Sequence, residues 1–248
     1  MHKFFIEGEL SGEVYLSPAD VRHAKDVLRL KRGDSVRLAD RRGNSAEAAI
    51  LSLDGGAVRL LVVRRLPQSN EAPVRLVLGQ GLGKGGKMDF ICQKAAELGA
   101  HEILPLSLQH SVVRYDNAKM RDKQARWQKI AREAAQQCGR DLPPAVGKIQ
   151  SLEQALTQAD CELKLLFYEQ EQAIFLRPLM RSLIKPPASV LLLIGAEGGF
   201  SAEEIRQAAA AGCKSVSLGT RVLRTETAAV AALAVLMYEL GGLEAYDV

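Results

Sequence analysis

The stretch from Val190 to Leu240 constrains the fold more than any other. It holds two short apolar runs, each followed by a glycine-bearing turn and then by a helix start signal. Val190 to Ile194 is too short for a lone helix and reads as a fully buried strand. Gly195, Gly198 and Gly199 follow it and let backbone amides approach a ligand without interference from a Cβ atom. Ser201 and Glu204 make a Ser-x-x-Glu capping box for a helix ending near Gly212. Val216 to Leu218 reads as a second strand, Gly219 turns it, and Thr225 is placed to cap a long helix ending at Gly241-Gly242. Strand ends carrying glycine turns are where ligands sit in an open α/β sheet, so a ligand site is expected here. The spacing leaves open ordinary strand-to-helix turns with no ligand.

Upstream, strands and helices alternate from Val74 onward, which predicts a parallel α/β sheet. Strands are expected at Val74 to Leu78, Ile103 to Ser107 and Leu163 to Phe167. Helices are expected at Met88 to Leu98, Lys119 to Cys138 and Leu152 to Ala159. Between the first strand and its helix lies Gly79-Gln-Gly-Leu-Gly-Lys-Gly-Gly-Lys87. Gly81, Gly86 and Lys87 satisfy a P-loop spacing, but Met88 stands where the magnesium-binding hydroxyl belongs. Gly81, Gly83 and Gly86 also fit a dinucleotide fingerprint, yet the strand ending at Ser107 lacks the acid that would hold a ribose. What remains is a basic loop whose Lys84 and Lys87 meet RNA phosphate. Lys94 and Glu97, three apart on the helix, read as an ion pair.

The first 66 residues are β-rich, with strands expected at Phe4 to Ile6, Glu13 to Leu16, Ser35 to Asp40, Ala46 to Leu53 and Ala57 to Leu66. Arg42-Gly43-Asn44 and Asp54-Gly55-Gly56 act as hairpin turns. Ser17-Pro18 starts a helix running through Leu30. A small β-barrel with one inserted helix results, over residues 1–67. His23, Lys25, Arg29, Lys31 and Arg32 cluster on or just after that helix. The proline-bounded segment 68–73 is a credible linker, and 74–248 forms the second domain.

Net charge is only +4, but residues 112–150 hold nine Lys or Arg against four Asp or Glu. That local excess is a candidate nucleic-acid footprint, with a solvated helix face as the alternative. On the helix ending at Cys138, Trp127, Ile130, Ala131, Ala134 and Cys138 fall on one arc, and Arg126, Lys129, Arg132 and Arg140 on the opposite one. The four cysteines are widely spaced and fit reduced, mostly buried thiols rather than zinc ligands or disulfides. No window approaches a membrane span, and the first residues lack the apolar core of a signal peptide, so a cytoplasmic protein is expected.

Ile194-Gly-Ala-Glu-Gly-Gly-Phe-Ser201 and Leu218-Gly-Thr-Arg-Val-Leu-Arg-Thr-Glu-Thr-Ala228 resemble the two C-terminal motifs of the RsmE family. Lys87-Met-Asp, Gln93-Lys94-x-x-Glu97-Leu98-Gly99, Arg114 and Ala135-x-Gln137-Cys138-Gly139-Arg140 also resemble its pattern, and Ala196 departs from it at a usual proline. Those are SPOUT-class enzymes that methylate N3 of a uridine in 16S, small-subunit ribosomal RNA using S-adenosylmethionine. The resemblance implies a PUA-like RNA-binding barrel followed by an α/β SPOUT methyltransferase domain with a trefoil knot, working as a homodimer. It implies cofactor contacts at Ile194, Gly195, Glu197, Gly198, Leu218, Gly219, Leu223 and Arg224. It also turns His23, Arg29, Lys84, Lys87, Arg114, Arg126, Lys129, Arg132 and Arg140 into candidate RNA contacts.

A uracil imide nitrogen must lose its proton before attacking a methyl group. A carboxylate can accept that proton, and a guanidinium can stabilise the charge left on the carbonyls. Arg224 and Glu226, together at the start of the last helix, are the first candidates, against a local salt bridge across the cap. Glu197 fits a structural acceptor for turn amides better than a catalytic group. A nucleotide hydrolase using Gly81 to Lys87, and a non-catalytic RNA-binding protein, stay open as alternatives.

Overall fold

A computed structural model of the chain describes residues 1–54, 56–66 and 71–243. The chain divides into two compact units, Met1–Glu71 with Ala135–Pro143, and Ala72–Ala134 with Pro144–Val248. The sequence places residues 135–143 in the second domain, whereas in the structure they group with the first. Residues 68–70 of the expected linker, and Gly55 of the second hairpin turn, lie outside the described residues.

In the first unit, β1 (Lys3–Phe5), β2 (Glu13–Tyr15), β3 (Ser35–Ala39), β4 (Ser45–Ser52) and β5 (Arg59–Leu66) form one sheet in the order β1-β3-β4-β5-β2. β3, β4 and β5 make the antiparallel meander that the hairpin turns predict, with two register shifts along β4 and β5. Such bulges bend a sheet and tighten its twist, as curling around a small core requires. β1 pairs with β3 in parallel. Phe4, Val36, Leu38, Ala48, Ile50 and Leu60 fill the inner face. The helix expected to Leu30 is shorter: α1 (Pro18–Arg22) continues as a π-helical segment (His23–Val27) and stops where Arg29 takes φ +52°. Ser17 caps α1 by accepting from the Asp20 amide, as read from Ser17-Pro18.

In the second unit six strands form a wholly parallel sheet: β6 (Arg75–Gly81), β7 (Glu102–Leu106), β8 (Ala145–Val146), β9 (Leu163–Phe167), β10 (Ser189–Ile194) and β11 (Lys214–Val216). Their order is β11-β9-β10-β6-β7-β8. Helices α2 (Lys87–Glu97), α3 (Asn117–Cys138), α4 (Leu152–Gln158), α5 (Leu176–Arg181) and α6 (Ala202–Ala210) connect the strands, and α7 (Thr225–Glu239) follows the last of them. The two-residue β8 and the six-residue α5 have no counterpart in the sequence reading. β11 lies two residues earlier than expected, because Ser217 leaves the ladder to bridge Phe175.

β10 is buried along almost its whole length, as its unbroken apolar run requires. It stands between β9 and β6 in a register that pairs Ile194 with both Phe167 and Gln80. Val216 pairs with Phe167 in turn. The carboxyl ends of β6, β9, β10 and β11 therefore finish level, and the loops that leave them emerge at one edge. The chain runs outward one way from β6 to β7 and β8 and fills the other side later, so this edge is the switch point of the sheet, where α/β folds bind ligands.

Candidate methyltransferase site

Two contacts hold the level loops together. An added Cβ at Gly81 would lie 2.3 Å from the backbone nitrogen of Ala196 and 2.8 Å from the carbonyl carbon of Gly195, so only glycine lets the end of β6 touch the turn after β10. Thr225 supplies the second contact. The sequence offers it as a helix cap, but Arg224 holds the cap position and Thr225 is the first helical residue. Its hydroxyl is buried, donates to the Gly195 carbonyl at 2.5 Å and accepts from Gln80 Nε2 at 2.9 Å. The fully buried Gln80 amide also donates to the Gly81 carbonyl. One side-chain network thus ties β6, the turn after β10 and the start of α7.

Around this network lies a cavity of about 360 Å³. Ile194, Gly195, Glu197, Leu218, Gly219, Leu223 and Arg224, all expected at a cofactor, line it. Gly198 does not. An added Cβ there would meet His110 at 2.8 Å, and its carbonyl lies 3.1 Å from His110 Nδ1, so Gly198 shapes the turn from behind. Gly199 lines the cavity instead and takes φ +68°. Ala196, where the resemblance expects proline, sits in the turn with its carbonyl accepting from the Gly199 amide at 3.0 Å. The Ser201–Glu204 capping box that follows is present in full.

Two further lining groups escape the sequence reading, Glu169 at the end of β9 and Arg221 in the loop before α7. Tyr168-Glu169 signals the first weakly, as a strand end at the same edge. A third lining group, Lys87, stands apart from the role expected of it. Its ammonium lies 3.1 Å from Glu197 Oε1 and 3.2 Å from Glu226 Oε2. These partners, Glu197 first, raise its pKa against the opposing effect of burial. Glu197 also accepts from the Lys84 amide at 2.9 Å. Burial acts to raise the Glu197 pKa, but the Lys84 amide, its own amide and Lys87 outweigh it and hold the carboxyl below its usual range. The glycine-rich loop therefore does not offer Lys87 to a phosphate. Its first glycine lies inside β6 and its last lysine is taken by acids, which removes the nucleotide-hydrolase reading.

Of the expected catalytic pair, Arg224 lines the cavity and Glu226 sits behind Lys87 with its side chain 19% exposed. Among the described residues the two form no ion pair, so the salt bridge across the cap is absent.

The expected RNA contacts fare unequally. His23 and Arg29 are exposed in the first unit, and His23 packs edge-on against Phe4. Lys84 and Arg114 are exposed in the second, with Arg114 bonded to Ser107 and to the Gln109 carbonyl. Lys129 is open to solvent, 3.8 Å from Glu133. Arg132 is half-buried. Arg126 is exposed but spans both oxygens of Asp89, which also accepts from Trp127 Nε1. Arg140 is a correction. It is 5% exposed and paired with Glu71 at 2.5 Å, because Gly139 at φ +84° ends the helix and breaks the 100° progression that put Arg140 on the basic arc. Trp127, Ala131 and Ala134 are buried as their arc predicts, whereas Cys138 is exposed.

A family model for an RNA methyltransferase domain matches residues 70–237, and one for an RNA methyltransferase PUA domain matches residues 16–63. Over 96% of its length the chain is 32% identical to 97% of the ribosomal RNA small subunit methyltransferase E of Bacillus subtilis. The structure of a ribosomal RNA small subunit methyltransferase E from Neisseria gonorrhoeae, bound to S-adenosyl methionine, superposes with a TM-score of 0.87 at 32% identity, over 96% of this chain and 97% of that one. A Legionella pneumophila protein holding bound SAM gives a TM-score of 0.86 at 35% identity, over 95% and 96% of the two chains. The first unit is thus PUA-like, and the second is an RNA methyltransferase domain. The chain belongs to the ribosomal RNA small subunit methyltransferase E family.

Proposed function

We propose that the protein transfers a methyl group from S-adenosylmethionine to N3 of a uridine in 16S ribosomal RNA. The observation that carries this is the cavity at the level strand ends of a chain whose relatives are named ribosomal RNA small subunit methyltransferases, one of them with S-adenosyl methionine bound. The cavity suits the donor. Its volume lies within the range of small-molecule sites. Ile194, Leu218, Val222 and Leu223 offer apolar walls to a purine, and Glu169 an acceptor for ribose hydroxyls. Ile194, Gly195, Glu197, Leu218, Gly219, Leu223 and Arg224 hold it, with Gly198 setting the turn.

Once bound, the donor would supply an electrophilic methyl on its sulfonium, with a neutral thioether as the leaving group that keeps the S–C electron pair. The chain's part is to accept and to stabilise. Glu226 takes the proton from N3, and the Arg224 guanidinium faces the charge that spreads over the uracil carbonyls. His23, Arg29, Lys84, Arg114, Arg126, Lys129 and Arg132 offer cations to RNA phosphate.

The same reading makes the second unit a SPOUT domain with a trefoil knot. It is supported by the path of the chain, which leaves the edge strand β11 yet packs α7 on β6 and β10 in the middle of the sheet. It also makes the protein a homodimer through α7, which is apolar around most of its circumference and exposes Val235 and Tyr238. Among the described residues no helix is long and apolar enough to cross a membrane, in keeping with work on cytoplasmic ribosomes.

Mass spectrometry of ribosomal RNA from cells lacking the protein should show one 3-methyluridine missing from the small subunit, and an unchanged pattern refutes the reading. Glu226→Gln should keep donor binding and slow single-turnover transfer by roughly 10²- to 10⁴-fold, the usual worth of a general base.

A further inference from the structure

Lys87 is the first residue of α2, and its two carboxylate partners come from two other segments. Glu197 lies in the turn after β10, and Glu226 in the first turn of α7. The two acids depend on the ammonium unequally. Glu197 has a second donor, the Lys84 amide. Glu226 Oε2 is buried and has no hydrogen bond of good geometry among the described residues, so the Lys87 charge at 3.2 Å is what compensates it. The other cations at the cavity, Arg221 and Arg224, form no ion pair with it among the described residues. A buried carboxylate oxygen left without a cation is costly, and its side chain would turn toward water if released. An ammonium has three N–H donors. Two contacts with the acids leave one donor for the cavity, which Lys87 itself lines.

We propose that Lys87 is a positioning residue for methyl transfer: its ammonium, anchored on Glu197, holds the Glu226 carboxylate at the edge of the cavity in the orientation that receives the imide proton. This rests on the assignment of Glu226 as proton acceptor. It replaces the phosphate contact that the glycine-rich loop suggests for Lys87, and it explains how an acid behind the cavity wall serves a reaction inside it.

The test compares Lys87→Met, Lys87→Arg, Glu226→Gln and the double variant Lys87→Met/Glu226→Gln in the full chain. S-adenosylmethionine affinity is read by calorimetry. Single-turnover transfer is read on small ribosomal subunits from cells lacking the modification. Lys87→Met should slow transfer roughly ten- to hundredfold while donor affinity stays near wild type. Lys87→Arg should restore most of the rate, since it keeps the charge. The double variant should be no slower than Glu226→Gln alone, because Lys87 acts through that carboxylate. A loss confined to donor affinity, an arginine variant as slow as the methionine one, or losses that multiply in the double variant would each overturn the inference. If Glu226→Gln is slow and Lys87→Met is not, the Lys87 role alone falls. If Glu226→Gln runs at the wild-type rate, the proton-acceptor assignment falls first. Should Lys87→Met fail to fold, Lys87→Gln takes its place in the same comparison.

Discussion

Lys3 shows how far a single side chain can depart from its usual surface role. Its ammonium donates to Asp141 Oδ1 at 2.6 Å and to the carbonyls of Gly139 and Arg140 at 2.6 and 3.1 Å. The two side chains are 2% and 1% exposed. Burial pulls the Lys3 pKa down, and Asp141 opposes it. Lys3→Met strands a buried carboxylate and should cost about 3–5 kcal/mol in urea unfolding, whereas Lys3→Met with Asp141→Leu should recover part of that loss. Glu197 gives a pH-dependent counterpart. Its carboxyl is held below the usual 4.5 in the folded chain, so its contribution is present above that value and lost as pH falls through the folded value. Lys87, raised above 10.5, contributes below that value and loses its contribution as pH rises through the folded one. The melting-temperature difference between wild type and Glu197→Gln should therefore be full at neutral pH and shrink below about pH 4.5. Nothing in Met1-His-Lys3 marks a buried cation. Pattern reading assigns a lysine to solvent unless its partner, here 138 residues away, is already known.

Among the elements, those with strong periodicity were legible and those defined by tertiary pairing were not. β10 starts one residue before its expected bound and α7 ends two residues short of Gly241, close agreement that follows from an unbroken apolar run and a long apolar helix. β8 has two residues and exists because it lies beside β7. α5 carries Pro178 in its first turn, where proline is tolerated although it reads as a breaker. β6 runs three residues past its expected end, through the glycines that resemble a phosphate loop. Gly81→Ala should test why those glycines are there. The added methyl meets backbone that cannot rotate away, so a loss of about 1–3 kcal/mol and weaker donor binding are expected by denaturation and calorimetry. Gly86→Ala, with open space around its Cβ position, is the control and should be near neutral. The turn residues of the site were legible from their glycines and cap. Thr225 and Gln80 were not, since their work is a hydrogen bond between segments 145 residues apart.

For the whole molecule, the first unit is not a continuous piece of sequence. Glu71, near its first exit, accepts from the amides of Asp141 and Leu142 at 2.9 Å and pairs with Arg140. Phe5 and Ala39 pack with Ala135. A fragment ending at residue 71 should therefore show poor amide dispersion by NMR, and a peptide covering residues 130–144 should restore it when added. A fragment that folds unaided would remove this view of the unit.

Whoever divides this protein for crystallography or fusion will find that the tempting cut between its halves amputates one of them. The returning strip at residues 135–143 works as a borrowed wall, lent back across more than sixty positions of chain. Mutations near Gly139 should accordingly be felt first as loss of the amino-terminal module, however distant they look on a linear map.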